Sequence, residues 1–183
     1  MKRIVLSFVL GVFILCPKIF QAAEHKALKL ATVTSNGRSG KEWIAELNKQ
    51  RINMFVHDHL KRDDWKSTTG MLYHPVLLRG DSFSDIERST SNIRRTAKDL
   101  GLITPPMELA PLLREKITDE EIVGLGLWRM IVMSEPRHDN GGNMSVLGLD
   151  HRDNEAPWLR AFVENPPQGW VKQDGFVFIL PPQ

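Results

Sequence analysis

The sequence predicts an α+β fold: a single compact domain with a buried central helix, surface helices and a small mixed or antiparallel sheet that includes a C-terminal β-hairpin. Three observations predict it. Strand-like and helix-like segments follow one another without the regular alternation of a doubly wound parallel sheet. Thr118 and Glu121 spell a capping box ahead of Ile122–Met133, a run that is apolar nearly all round. Asp174-Gly175 separates Trp170-Val-Lys-Gln173 from Phe176-Val-Phe-Ile-Leu180, the pattern of a two-residue type I′ turn.

The chain opens with a leader. Met1-Lys2-Arg3 is a positive n-region, and Ile4–Cys16 is a charge-free run of 13 residues. A bilayer-spanning helix needs about 20 apolar residues, so the run is short for a span and fits a secretory h-region. Small residues follow at Ala22-Ala23, although Gln21 stands where a small residue is usual for cleavage after Ala23. Residues 1–23 are therefore expected to be a signal peptide, and residues 24–183 the domain. Such a leader implies a periplasmic or secreted protein, bacterial by preference.

Ala27–Val33 alternates in polarity and ends β-branched, so a strand is expected. Ser35–Gly40 is a loop. No Gly or Pro interrupts Lys41–Thr69, and Ile44, Leu47, Ile52, Phe55, Val56 and Leu60 mark a helical stripe over about 41–60. Alternatively the helix breaks near Gln50 and Arg51–His57 form a strand. Met71–Leu78 is expected as a strand that Pro75 confines to an edge or a bulge. Asp81 or Ser82 caps a surface helix through Ile86, Ile93, Ala97 and Leu100, stopped by Gly101.

From Pro105 onward proline is frequent, so shorter elements are expected. Pro105-Pro106 opens a short helix with Leu109, Leu112 and Leu113. The Thr118 box starts the buried central helix, in which Trp128 is a core residue. Arg129, its only charge, either snorkels to the surface or finds an internal partner. Ser134–Asn143 is a polar loop, Met144–Leu149 a short strand, and Pro157–Phe162 a short helix. In the final hairpin Phe176, Phe178 and Leu180 share one face.

Composition excludes several chemistries. The chain carries 24 Lys+Arg against 22 Asp+Glu, and removing the leader cations Lys2, Arg3 and Lys18 leaves 21 against 22. Bulk charge therefore gives no attraction to nucleic acid. The one cysteine, Cys16, lies in the leader. Beyond it there is no material for a disulfide, a thiol nucleophile or a thiolate metal site.

Four segments have the residue types of a site. Ser35-Asn-Gly-Arg-Ser-Gly-Lys-Glu42 resembles a phosphate loop, but Ser35 replaces the first Gly and Glu42 the magnesium-binding hydroxyl. It is expected as an ordinary loop before a helix. His57-Asp58-His59 would share a metal on a strand, whereas on a helix the two rings diverge by about 200°. With the helix expected, both are surface residues and His59 pairs with Asp63. Asp139, Asn143 and Asp150 match positions 1, 5 and 12 of a calcium loop, but Gly141 and Met144 spoil positions 3 and 6. Arg137, His138 and Asp139 remain the expected ligand-binding residues, because binding groups favour loops on rigid scaffolds. Ser145, His151 and Asp153 lie too close along the chain to be judged a triad without geometry.

These observations point to an exported, soluble, non-enzymatic binding or accessory protein, of immunity or inhibitor type, acting on a protein or cell-envelope partner. No cofactor, metal or nucleic acid is expected, and the membrane is met only through the signal segment before cleavage. The alternative is an extracytoplasmic hydrolase, metal-assisted, at His57/His59 or His138/Asp139. Export has a direct consequence: the intact mass of the exported protein should be lower by about 23 residues. A full-length, membrane-extracted product would overturn the signal-peptide assignment.

Overall fold

The structure, a computed structural model, describes residues 27–47, 54–151 and 158–182. The expected signal segment lies outside the described residues. The fold is α+β, with five helices, a seven-stranded mixed sheet and a two-stranded ribbon. The sheet is larger than expected, and two of its strands come from segments expected to be helical.

The expected strand Ala27–Val33 divides. Ala27–Lys29 is β1, an edge of the large sheet, and Val33–Asn36 is β2, which leaves for the ribbon. The expected helix over 41–60 is described as α1 (Gly40–Leu47) and α2 (Met54–Leu60), and residues 48–53 lie outside the described residues. Residues 54–57 are helical, so the strand alternative is excluded there. The Met71–Leu78 segment also divides, into β3 (Thr69–Tyr73) of the ribbon and β4 (Pro75–Arg79) of the sheet. β4 is not an edge, since it pairs with β1 and with the last strand. Pro75 is tolerated because it is the first residue of its strand.

Gly80–Ser82 is one 3₁₀ turn, not a helix start. Helix α3 (Thr90–Asp99) begins later, where the Ser89 hydroxyl accepts from Asn92 N–H. Ile86 is thereby left outside, 91% exposed. The stop at Gly101 is as expected, with φ 74°. Gly101 N–H donates to the Lys98 carbonyl and Leu102 N–H to the Ala97 carbonyl, a Schellman ending. Helix α4 (Leu109–Arg114) follows, then α5 (Asp119–Gly124) behind the expected Thr118 capping box.

The buried central helix does not form. α5 ends in a second Schellman turn: Gly126 has φ 69°, its N–H donates to Val123 and Leu127 N–H donates to Ile122. The chain then becomes strand β5 (Arg129–Val132). A continuous apolar run suits a strand buried on both faces as well as a buried helix. Here the glycine-terminated turn and the β-branched Ile131-Val132 decide for the strand. After the two-residue β6 (Arg137–His138), β7 (Met144–Asp150) forms as expected. The expected helix at 157–162 is instead β8 (Trp158–Val163), paired with β7 along its whole length.

The expected Asp-Gly hairpin is also absent. Asp174 and Gly175 are the first residues of β9 (Asp174–Ile179), buried throughout. β9 lies between β4, antiparallel, and β5, parallel. The sheet order is β1-β4-β9-β5-β7, with β6 continuing beyond β5 and β8 on the other side of β7.

Strand periodicity sorts the core into two layers. Phe176 and Phe178 face one side with Ile131, Val146, Phe83, Trp170 and the α3 residues Ile93 and Ala97, and Leu180 packs against them. That shared face was expected. Val177 and Ile179 face the other side with Leu77, Met130 and Leu147, under Trp43, Leu60, Leu113 and Ile122 from the remaining helices. Each such side chain contributes about 1.5–3 kcal/mol by leaving water.

Gly175 sits on this second face without positive φ. A Cβ there would lie 2.6 Å from Leu77 Cδ1 and 2.9 Å from Leu127 Cδ1. Gly175→Val should therefore destabilise by roughly 1–3 kcal/mol in urea unfolding, through overpacking. An unchanged midpoint would mean that the two leucines move aside without cost.

Candidate functional site

The loop expected to bind ligand is closed on itself. Asp139 Oδ1 accepts from Asn143 N–H at 2.9 Å, and the Asp139 carbonyl accepts from Gly142 N–H at 3.0 Å. His138 Nδ1 lies 3.3 Å from the Gly142 carbonyl. Arg137 donates to Asp64 Oδ1 at 3.2 Å, and Arg62 reaches the His138 carbonyl at 3.4 Å. Arg137, His138 and Asp139 are adjacent on the β6 strand and the turn that follows it. The neighbouring cavity, of about 430 Å³, is lined by Phe55, His57, Asp58, Lys61, Asn140 and Gly141, and none of the three takes part. Asp150, the last residue of the calcium pattern, is at the far end of β7 and accepts from Arg160 at 2.6 Å.

His59 is not a surface residue and does not pair with Asp63. It is fully buried on the inner face of α2, and its Nε2 lies 2.8 Å from Ser145 Oγ on β7. Its spacing of three from Val56 and one from Leu60 was the available signal, since both neighbours belong to the apolar stripe. Ser145 is 1% exposed and also donates to the Arg137 carbonyl at 3.4 Å. The pair is thus a sealed polar tie between helix and sheet, closed to substrate. His57 projects elsewhere, toward the small cavity. Among the described residues no three His, Cys, Asp or Glu side chains form a metal-binding group. His151 does not approach Ser145 as a triad partner. It stands 3.6 Å from Asp119.

A second buried network escaped sequence reading. The Glu108 carboxylate accepts from Tyr73 OH and Thr68 Oγ1, both at 2.7 Å, and from Thr68 N–H at 3.0 Å. Burial, helped by the adjacent Glu108, pushes the Tyr73 hydroxyl up to about 12. This clamps the start of β3 to the start of α4. The phosphate-loop resemblance resolves in the same bland way: Ser39 and Glu42 form a capping box, with Ser39 N–H donating to Glu42 Oε2 at 2.7 Å.

A concavity lies where β5 begins and β7 ends, with a volume of about 660 Å³. Its floor is a row of charges. In the sheet register Arg129 stands opposite Asp174 on β9 and Asp150 on β7, and Arg160 on β8 stands opposite Gly148 on β7. By the strand period these four side chains share one face, so signs alternate across four strands. Arg129 forks onto Asp174 at 2.7 and 2.9 Å, and its guanidinium lies 5.5 Å from the Phe162 ring centre. Asp174 is fully buried and accepts also from Val171 N–H at 2.9 Å. Burial pushes its carboxyl above the usual carboxylate value, against the pull of that N–H and of Arg129. The internal partner expected for Arg129 is therefore present, on a strand instead of a helix.

The wall comes from the turn after α5. Val123, Gly126 and Leu127 line it, and Trp128 and His151 complete the rim. Trp128, expected in the core, is 56% exposed. Its backbone is held on both sides: Trp128 N–H donates to the Gln173 carbonyl and His151 N–H donates to the Trp128 carbonyl. Arg79 donates to the Leu125 carbonyl and pairs with Asp81, which stiffens the turn from below.

Burial lowers the His59 pKa, outweighing the opposing field of Asp139. The native state thus holds it neutral, while the unfolded chain titrates near pH ~6.5. Its contribution to stability is complete above that value and is lost as pH falls toward the depressed native pKa. Urea midpoints should therefore fall between pH 7.5 and pH 5.5, and His59→Gln should flatten that dependence. Equal slopes in both proteins would assign the acid sensitivity to another group.

No protein-family model, curated protein or solved structure matches this chain.

Proposed function

We propose that the protein is an exported, non-enzymatic binding protein that recognises a protein or cell-envelope partner through the cleft at the head of β5. The exposure of Trp128 carries this reading. A large aromatic side chain held half in water, on a backbone fixed from both sides, at the rim of a concavity of about 660 Å³, is the arrangement of a recognition surface. Charged side chains beneath it are anchored and oriented before any partner arrives, which lowers the ordering cost of binding.

The remaining reactive-looking groups support binding over catalysis. The Ser145–His59 contact is buried, Asp139 and His138 bond within their own turn, and Arg137 pairs with Asp64. Export is supported by the leader, with its basic start, its short apolar run and Ala22-Ala23.

The test compares wild-type protein, purified after export and immobilised, with Trp128→Ala. Both are exposed to cell-envelope extract. The wild type should retain a component that Trp128→Ala loses, while the two melting temperatures agree within the small range usual for surface changes. Identical retention by both proteins would remove the cleft as the recognition surface.

A further inference from the structure

We infer that the cleft takes an oxyanion, carboxylate or phosphate, carried on a flat ring. The inference rests on the cleft being the recognition site, and it names the chemistry of the ligand.

Donors decide the anion. Arg129 spends Nε and Nη2 on Asp174, and among the described residues no group accepts from its Nη1. Arg160 spends Nη1 on Asp150, and among the described residues no group accepts from its Nε or Nη2. Both side chains line the cleft, with 27% and 31% of their surface in solvent. Their carboxylate partners are withdrawn below them: the Asp174 side chain is 0% exposed and that of Asp150 is 7%. Asp150 also lines the cleft but offers little surface, so a ligand entering it meets mainly guanidinium edges. Guanidinium forks match carboxylate and phosphate oxygens, and forks already held in place lose little freedom on binding. A cation is disfavoured by the same two groups.

The wall decides the ring. The exposed Trp128 and Val123 side chains stand beside those donors, over the buried Leu127. A bare inorganic anion leaves them in water, whereas a ring stacks on the indole and covers them. A cleft of about 660 Å³ is of small-molecule size, well above the need of a single anion.

The experiment titrates the ¹⁵N-labelled protein with benzoate and phenyl phosphate, and with benzyl alcohol, acetate and inorganic phosphate as partial probes. The Trp128 indole N–H resonance, assigned with Trp128→Phe, reports binding. Benzoate and phenyl phosphate should bind at least about tenfold more tightly than benzyl alcohol, or ~1.4 kcal/mol. They should also bind more tightly than acetate and inorganic phosphate, and weaken in high salt. Arg160→Lys keeps a cation for Asp150 but removes the spare fork, and should lose most of the preference for the anion. If that variant melts early, the uncharged pair Asp150→Asn/Arg160→Gln replaces it with the same expected loss.

Equal affinity for benzyl alcohol and benzoate would overturn the oxyanion while leaving the cleft as a recognition surface. Equal affinity for inorganic and phenyl phosphate would overturn the ring. A Trp128 signal unmoved by every probe would overturn the inference as a whole, and Trp128-dependent capture from envelope extract would still judge the cleft by itself.

Discussion

The buried carboxylate of Asp174 sets the start of the strand on which both layers of the core are built. It receives the Arg129 fork from β5 and the Val171 N–H from its own approach turn. Those contacts bind the parallel pair β5–β9 in one register and leave no alternative by a shift of one residue. Such a shift would exchange Phe176 and Phe178 with Val177 and Ile179 between two differently shaped layers. The carboxylate has a cost, since burial disfavours its charge. Removing Arg129 alone would leave that charge without its cation, a change typically worth about 3–5 kcal/mol. The pair also carries the charge row outward to Asp150 and Arg160, so the cleft floor is continuous with the interaction that fixes the sheet.

The two Schellman turns show how one local device serves different ends. At Gly101 the turn only ends a surface helix and folds Leu102 back into the core. At Gly126 it returns Leu127 to the core and sends the next residue outward, so Trp128 stands in solvent between buried Leu127 and half-buried Arg129. The site is therefore a by-product of helix termination next to a strand start. Its rigidity comes from the backbone hydrogen bonds on either side of Trp128.

Elements with local punctuation were legible in the sequence. Thr118–Glu121 marked a helix start, Gly101 a helix stop, and the Leu109 stripe a short helix. Strand β5 was not, because residues buried on both faces show no alternation to read, and β8 passed for a short helix; β9 was legible from Phe176 onward, its first two residues passing for a turn. Ile122–Met133 was continuous enough to pass for a helix until Gly126 was seen to end one. Asp174-Gly175 looked like a turn because a buried, paired Asp at the head of a strand depends on Arg129, forty-five positions earlier. The site suffered in the same way. Arg137, His138 and Asp139 stood out because they are neighbours in sequence, while Arg129, Asp150 and Arg160 are gathered only by cross-strand register. Arg129 was conspicuous as a lone charge, and an internal pair was among the expected outcomes. His59 was misplaced because its residue type suggested surface, although its position lay on the apolar stripe.

β9 comes last among the strands yet lies in the middle of the sheet. It alone joins the β1–β4 half to the half built from β5, β6, β7 and β8. A nascent or threading chain that has not yet delivered residues 174–179 holds two half-sheets with open edges and no common core. Folding thus waits on long-range pairing, which is slow and leaves apolar surface exposed to chaperones in the interval. Until that strand arrives, the polypeptide stays extended and pliable, and its last segment decides when it becomes rigid.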